Sequence, residues 1–300
     1  VGKQAGGLGV VAGADNVCVG SAAGYDLTTG VSNVLIGRAA GTNLTEARDN
    51  IAIGHGALGA AVATDSYNVA IGTNALGAQT SNADYCVAIG HSALILQNAD
   101  VKNTAIGGLA GDAIVGGTNN TYVGYLAGSA SVDTNDNTAL GHMAYAKGTG
   151  AYNTVIGTGA GSSVLNTGTA LSSNDNVIVG FNAGHTLTSG SASAGQNVLV
   201  GKNAGKLMTS SVSNVAIGAY AADAVAGAAG NNVAIGHHAL GGSTVAASYN
   251  IAIGSGTLSH ASYAAAAINI AIGTDAGDAI TSGTKNVLIG HEAGSTLAAT

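Results

Sequence analysis

A five-residue phrase recurs sixteen times along this 300-residue chain, and no other feature constrains the fold as strongly. The phrase is Asn, a β-branched residue, a mostly apolar residue, an aliphatic residue and Gly, as in Asn33-Val34-Leu35-Ile36-Gly37. Thirteen of the fifteen intervals between the closing glycines are 16 to 19 residues long. A fixed period of this size indicates one small unit stacked many times, because a single unit cannot bury its own apolar face. The pattern therefore predicts a solenoid.

The composition favours an all-β solenoid over a helical one. The chain has 49 Gly, no Pro and only 8% charged residues, and Val or Ile stands in nearly every phrase. Proline is disfavoured because it would remove a ladder hydrogen bond from its rung. We predict a parallel β-roll or β-helix of about 17 short rungs, a single repetitive segment over residues 1–300. The chain opens in the middle of a repeat, which predicts a segment of a longer fibre protein.

Alternation within the phrase predicts which side chains share a face of the strand. With Asn as position 0, positions 1 and 3 carry only Val, Ile, Thr or Leu and point one way, while the equally apolar position 2 points the other way. We expect positions 1 and 3 to fill the lumen and position 2 to need cover from another chain, since an apolar stripe of that length is not left in water. Ile217→Asp should then destabilise far more than Ala219→Asp.

Two further positions describe the rest of the rung. Position 7 is Ala in fifteen phrases, which leaves room for a methyl group only. An apolar residue near position 11 predicts a second short strand, at Leu27, Leu44, Ile114, Val164, Leu187, Met208, Val225, Ile280 and Leu297. The two long intervals place their extra residues in the loop after this position.

The Asn and the Gly of the phrase are interpreted as structural residues. An Asn amide can donate to one rung and accept from the next, which predicts a ladder that includes Asn33, Asn50, Asn68, Asn103, Asn120, Asn137, Asn214, Asn232 and Asn250. The Gly predicts a positive φ or a close approach at the corner, at Gly37, Gly54, Gly72, Gly107, Gly218 and Gly236. Four successive threonines at position 1 could add a hydroxyl ladder: Thr104, Thr121, Thr138 and Thr154.

Polar residues that break the repeat together on neighbouring rungs would indicate catalysis, and the sequence has none. We therefore predict no enzymatic activity, no cofactor and no metal site, and the sequence identifies no receptor-binding residue. Histidines that follow the Gly are interpreted as exposed: His55, His91, His142, His237 and His291. Aspartates before the Asn are interpreted as solvated turn residues: Asp15, Asp49, Asp136 and Asp175. Cys18 and Cys86 are four rungs apart, too far for a disulfide within one chain.

The phrases carry a specific resemblance. Asn68-Val69-Ala70-Ile71-Gly72 and Asn103-Thr104-Ala105-Ile106-Gly107 resemble the head repeats of trimeric autotransporter adhesins, and more closely the Asn-Thr-Ala-Ile-Gly repeats of phage and prophage tail fibres. The resemblance implies a left-handed parallel β-roll, three copies of which pack around one axis as a rod. Adhesin heads usually carry Ser directly after the Asn, in a motif associated with collagen binding, and Ser is absent from position 1 here.

These observations predict a structural and adhesive extracellular fibre segment, in a virion tail fibre or on a bacterial surface. Its expected partners are its own copies, as a homotrimer, and a host receptor or glycan bound through regions that could lie outside the segment. Alternatives are a self-assembling filament subunit, an ice-binding solenoid and the body of a polysaccharide depolymerase. The eight Lys and Arg residues are scattered, which argues against nucleic acid, and no apolar run approaches the roughly 18 residues of a membrane span.

Overall fold

A computed structural model describes residues 2–7, 12–61, 63–78, 83–98, 102–162, 171–187, 195–225, 227, 229–242, 248–260, 268–280 and 283–295. The chain divides into two compact units, Val1–Met143 and Ala144–Thr300. Both units repeat the same rung. The described residues contain no helix long and apolar enough to cross a bilayer.

Each phrase forms one three-residue strand at positions 1 to 3. The first unit contains β1 Val17–Val19, β2 Val34–Ile36, β3 Ile51–Ile53, β4 Val69–Ile71, β5 Val87–Ile89, β6 Thr104–Ile106, β7 Thr121–Val123 and β8 Thr138–Leu140. The second contains β9 Thr154–Ile156, β10 Val177–Val179, β11 Val198–Val200, β12 Val215–Ile217, β13 Val233–Ile235, β14 Ile251–Ile253, β15 Ile270–Ile272 and β16 Val287–Ile289. Sixteen strands lie in the described residues, against the expected 17 or so rungs.

Within each unit the strands are parallel and pair in sequence order without a register shift. Val34, Leu35 and Ile36 of β2 pair with the same phrase positions of β3. The position 1 N–H donates to the Asn carbonyl of the following rung, as from Val34 to Asn50 at 2.8 Å. The predicted all-β parallel solenoid is confirmed.

The prediction of which strand face is buried was wrong. Position 2 lines the lumen: Ala216 is 0% exposed, whereas Ile217 beside it is 38% exposed. Position 2 is buried in β2 through β15, and positions 1 and 3 point outward. The expectation that Ile217→Asp is far worse than Ala219→Asp for a single chain loses its basis, because Ala216 is the residue in the core.

The predicted second strand is absent from the described residues. Leu27, Leu44, Ile114, Leu187, Met208, Val225 and Ile280 lie in irregular backbone, with their side chains buried in the core; Val164 and Leu297 lie outside the described residues. The backbone cannot continue as a strand because positions 6 and 8 adopt left-handed conformations, as at Leu58 with φ of 49°. The second half of the rung is therefore irregular backbone held by its buried side chains, and it does not form a second sheet.

Positions 8 and 11 share one volume of the core. Where position 8 is Gly41, position 11 is Leu44, and a Cβ on the glycine would lie 2.9 Å from the leucine Cδ1. Where position 8 is Leu58, position 11 is Ala61, and both are at most 1% exposed. Close packing therefore couples the two positions in these rungs, whereas the β5 rung buries both Leu94 and Gln97.

Candidate functional site

The position 0 asparagines lie in a buried ladder that runs from rung to rung. In the first unit the backbone N–H and the Nδ2 of Asn50 donate to Asn33 Oδ1 at 3.1 and 3.0 Å. Asn68 then donates its N–H to Asn50 Oδ1 at 3.0 Å. In the second unit Asn232 donates in the same way to Asn214, and Asn250 to Asn232. The predicted ladder residues are at most 1% exposed: Asn33, Asn50, Asn68, Asn103, Asn120, Asn137, Asn214, Asn232 and Asn250.

Several ladder side chains also hold the loop of the next rung, which sequence reasoning missed. Asn50 Nδ2 donates to the Asp65 carbonyl at 2.7 Å, and Asn120 Nδ2 donates to the Thr134 carbonyl at 2.7 Å. One amide therefore bonds to the ladder asparagine of the preceding rung and to the loop of the following one. A buried amide without these partners would be costly, since lost hydrogen bonds are not replaced by water there.

The ladder changes chemistry at Cys86, which occupies position 0 of the β5 rung. The Cys86 N–H still donates to Asn68 Oδ1 at 2.9 Å. Gln97, fully buried at position 11 of the same rung, donates Nε2 to Cys86 Sγ at 2.8 Å and accepts from Asn103 Nδ2 at 3.1 Å. Gln97 thus supplies an amide oxygen where the thiol offers only a weak acceptor. The available sequence signal was the replacement of the ladder Asn by Cys86 together with a Gln at position 11 of the same rung.

The closing glycines combine a positive φ with a close approach between rungs. Their φ is 132° to 138° at the predicted corner residues Gly37, Gly54, Gly72, Gly107, Gly218 and Gly236. A Cβ on Gly218 would lie 2.5 Å from the Gly236 carbonyl oxygen. Any other residue would be strained twice, by its backbone and by the next rung.

The residue before the Asn adopts a left-handed conformation in all sixteen rungs, with φ between 46° and 63°. This explains the frequent Asp there, because Asp and Asn tolerate that region better than most residues. Asp15, Asp49, Asp136 and Asp175 are all exposed. Tyrosines at this position are exposed as well, and the rings of Tyr67 and Tyr85 stack with centroids 4.9 Å apart.

The outward sheet face, formed by positions 1 and 3, is the largest exposed apolar surface among the described strands. It has no charged side chain in any of the sixteen phrases. Members at least 36% exposed are Val17, Val19, Ile36, Ile51, Ile106, Leu140, Val177, Ile217, Ile235, Ile272, Val287 and Ile289. Thr104, Thr121, Thr138 and Thr154 lie in the same face, and their hydroxyl ladder stays a prediction.

The five histidines that follow the Gly, from His55 to His291, are all exposed. His142 stacks on Tyr125 with centroids 5.7 Å apart. In the described part of the chain, no three His, Cys, Asp or Glu residues are grouped so that they could hold a metal ion. The candidate surface for binding is therefore the apolar outward sheet face, together with the exposed histidines that follow the Gly and the tyrosines that contact them.

Burial raises the pKa of several side chains in the described part of the chain. Burial raises the pKa of the Cys18 thiol, which lies in β1 and is not in a disulfide. Burial also raises the pKa of Asp112 and of Asp223, and the Oδ1 atom of each is buried without a hydrogen-bond partner among the described residues. Burial raises the pKa of Tyr122, whose hydroxyl lies 3.2 Å from Thr134 Oγ1 in the core.

Comparison with known proteins adds no relative from which a role could be transferred. No family model, no curated protein and no solved structure matches this chain.

Proposed function

We propose that this chain is a structural and adhesive segment of an extracellular fibre, a tail-fibre or surface-adhesin shaft, whose copies associate through the outward sheet face. The observation that supports the proposal is the uncharged Val, Ile and Thr face that each unit presents to solvent. Such a face is unfavourable in water and is the kind of surface that another protein covers.

The size of the face fits association between copies. Three residues at about 3.3 Å and eight strands at about 4.8 Å give about 10 by 38 Å, or about 380 Å² for each unit. The largest apolar patch on a typical monomer is about 300–600 Å² and often marks an interaction site, and the face of each unit is in that range. A second copy of the same chain is the matching occupant, because it offers an equally long, uncharged and regular face.

The resemblance to tail-fibre and adhesin repeats favours three copies around one axis. In such an assembly each chain would keep its position 2 core and contribute positions 1 and 3 to a shared centre. The work of the segment would then be mechanical: it would hold a receptor-binding tip at a distance from its anchor.

Light scattering on the full 300-residue chain tests the proposal, with a trimer expected at three times 28.5 kDa. Ile217→Asp combined with Ile235→Asp places two charges on neighbouring rungs of the outward face. We expect this variant to lose the assembly while circular dichroism still reports β-structure. A wild-type chain that is monomeric and fully soluble would refute the proposal.

Two variants separate loss of assembly from loss of folding. Ala216→Asp puts an unpaired charge in the core, which costs several kcal/mol, so we expect it to unfold. Ala219→Asp changes position 5, which carries Arg38 and Lys202 in other rungs, so we expect it to remain folded and assembled. Equal behaviour of the Ile217 and Ala219 variants would contradict the assigned interface.

A further inference from the structure

A cysteine and a glutamine side chain touch in the core of the β5 rung. Cys86 Sγ lies 2.8 Å from Gln97 Nε2, and both residues are 0% exposed. They lie in one rung, at positions 0 and 11. An amide C–N bond is about 1.33 Å long, so the carboxamide carbon of Gln97, Cδ, lies at most about 4.1 Å from the sulfur. A sulfur nucleophile and an acyl carbon are therefore neighbours in a site closed to solvent.

The hydrogen bonds of Cys86 direct a sulfur lone pair at Gln97. Sγ accepts a hydrogen bond from Gln97 Nε2, while the thiol itself donates to the Asp84 carbonyl oxygen at 3.5 Å. The thiol hydrogen thus points away from the carboxamide, and the sulfur faces the carboxamide with the electron pair that a nucleophile uses. Rotation of the two side chains alone can bring Sγ to the roughly 3–3.5 Å from Cδ at which reacting atoms meet.

Asn103 on the following rung holds the carbonyl oxygen of the same carboxamide. Its Nδ2 donates to Gln97 Oε1 at 3.1 Å and to the Gly117 carbonyl at 2.7 Å. Its Oδ1 in turn accepts from the N–H and the Nδ2 of Asn120, so the ladder fixes the orientation of this amide. A fixed N–H donor at a carbonyl oxygen stabilises the negative charge that develops there when a nucleophile adds to the carbon. The asparagine ladder therefore activates Gln97 toward attack.

We propose that Cys86 and Gln97 react with each other to form an internal thioester. Cys86 Sγ adds to Gln97 Cδ, the Cδ–Nε2 bond breaks, and Nε2 leaves as ammonia with the thiol hydrogen. No oxidant or reductant takes part, because carbon and sulfur keep their oxidation states. Gln97 Oε1 becomes the thioester oxygen, so the hydrogen bond from Asn103 is present before and after the reaction.

Three features of the rung favour the thioester over the separate thiol and amide. The folded rung already holds the two groups in contact, so closing the bond costs no further loop-closure entropy. Ammonia leaves to a dilute solution, and each tenfold dilution below 1 M favours the reaction by about 1.4 kcal/mol. Burial of both side chains excludes the water that would hydrolyse the product.

The thioester closes residues 86–97 into a covalent ring within one rung and stores a reactive acyl group there. While the rung is folded, solvent does not reach this group, because Cys86 and Gln97 are both 0% exposed. Local opening of the rung exposes it to primary amines. An amine that attacks Gln97 Cδ is joined to the chain by an amide bond and restores the Cys86 thiol. The β5 rung is thus a latent site for covalent attachment to an amine.

Intact-mass spectrometry of the full chain, incubated at neutral pH and quenched in acid, tests the proposal. We expect a mass about 17 Da below that of the sequence, from the loss of one ammonia, and fragmentation should place the loss on a peptide pair that joins Cys86 to Gln97. N-Ethylmaleimide in denaturant should label Cys18 and leave Cys86 unlabelled. Methylamine in denaturant should raise the mass of this form by about 31 Da and make Cys86 available to the label.

The two cysteines provide matched variants. Cys86→Ala removes the nucleophile and should keep the full mass of its sequence, whereas Cys18→Ala should still lose about 17 Da. A wild-type chain with its full mass and two thiols that label equally would overturn the proposal without recourse to any variant. A loss of about 17 Da that persists in Cys86→Ala would overturn it as well. The mass does not depend on assembly, so light scattering tests the fibre proposal independently.

Discussion

Gln97 should be needed only because Cys86 interrupts the asparagine ladder, and this dependence can be measured. Gln97→Ala removes the acceptor of one Asn103 Nδ2 hydrogen, which leaves a buried N–H unpaired at a cost of about 1–3 kcal/mol. Loss of the buried methylene adds about 0.8 kcal/mol. We expect the free energy of unfolding of Gln97→Ala to fall by about 2–4 kcal/mol in total.

Cys86→Asn should reverse much of that loss. The double variant would combine Asn at position 0, Leu94 at position 8 and Ala at position 11, the set that the β3 rung already uses with Leu58 and Ala61. The new Asn would offer Oδ1 to the following rung, as Asn33 offers it to Asn50. We therefore expect a favourable coupling of about 1–3 kcal/mol between the two substitutions.

Urea unfolding of the wild type, both single variants and the double variant would complete the cycle. Protein concentration must be equal in all four experiments, because assembly adds to the apparent stability. Independent effects, with a coupling below about 0.5 kcal/mol, would show that Gln97 is not a repair of the ladder.

The corner glycine and a buried carboxylate give two more expectations. Gly218→Ala should lower the free energy of unfolding by at least about 1–3 kcal/mol, because φ is 135° and the Gly236 carbonyl oxygen would lie 2.5 Å from the new Cβ. Gly108→Ala is the control, because its new Cβ would have no contact under 3.5 Å. Equal denaturation midpoints for the two variants would contradict the argument. The raised pKa of Asp112 means that its folded form binds a proton more readily, so its contribution falls as pH rises from the ordinary value of 3.8 through the folded pKa. Asp112→Asn should therefore melt at a higher temperature than the wild type near pH 7 and lose this advantage below about pH 3.8. The exposed Asp49→Asn is the control. If Asp112→Asn changed the melting temperature equally at both pH values, the assignment to this carboxylate would be refuted.

The strands were predictable and their orientation was not. The phrase marks all sixteen strands because β-branched residues, Asn and Gly recur together, each required by the ladder or the corner. The inward face could not be read from the phrase, because a three-residue strand alternates only once and Ala216 and Ile217 are both apolar. In the structure position 2 shares the lumen with the side chains of positions 7, 8 and 11, and it holds Ala in nine phrases and larger residues such as Leu35 and Tyr122 in others.

The rest of the rung could not be predicted from periodicity for a different reason. Leu58 at φ of 49° and Tyr67 at φ of 63° occupy conformations that such residues rarely adopt, so local preference points elsewhere. The stack of rungs imposes these turns. The contacts of Lys202 and His238 with Tyr220 join separate rungs and therefore form only after stacking.

The side chains that fill the core differ between many neighbouring rungs, and this difference affects whether the rungs stack in the correct order during folding. The asparagine ladder and the corner glycines are nearly the same in every rung, so they cannot distinguish correct stacking from a stack that skips a rung. The core can. A Cβ on Gly111 would lie 3.0 Å from Leu94 on the preceding rung and 3.2 Å from the Tyr122 ring on the following one. A chain that omitted this rung would press Tyr122 against Leu94, so at this point the core side chains disfavour a stack that skips a rung.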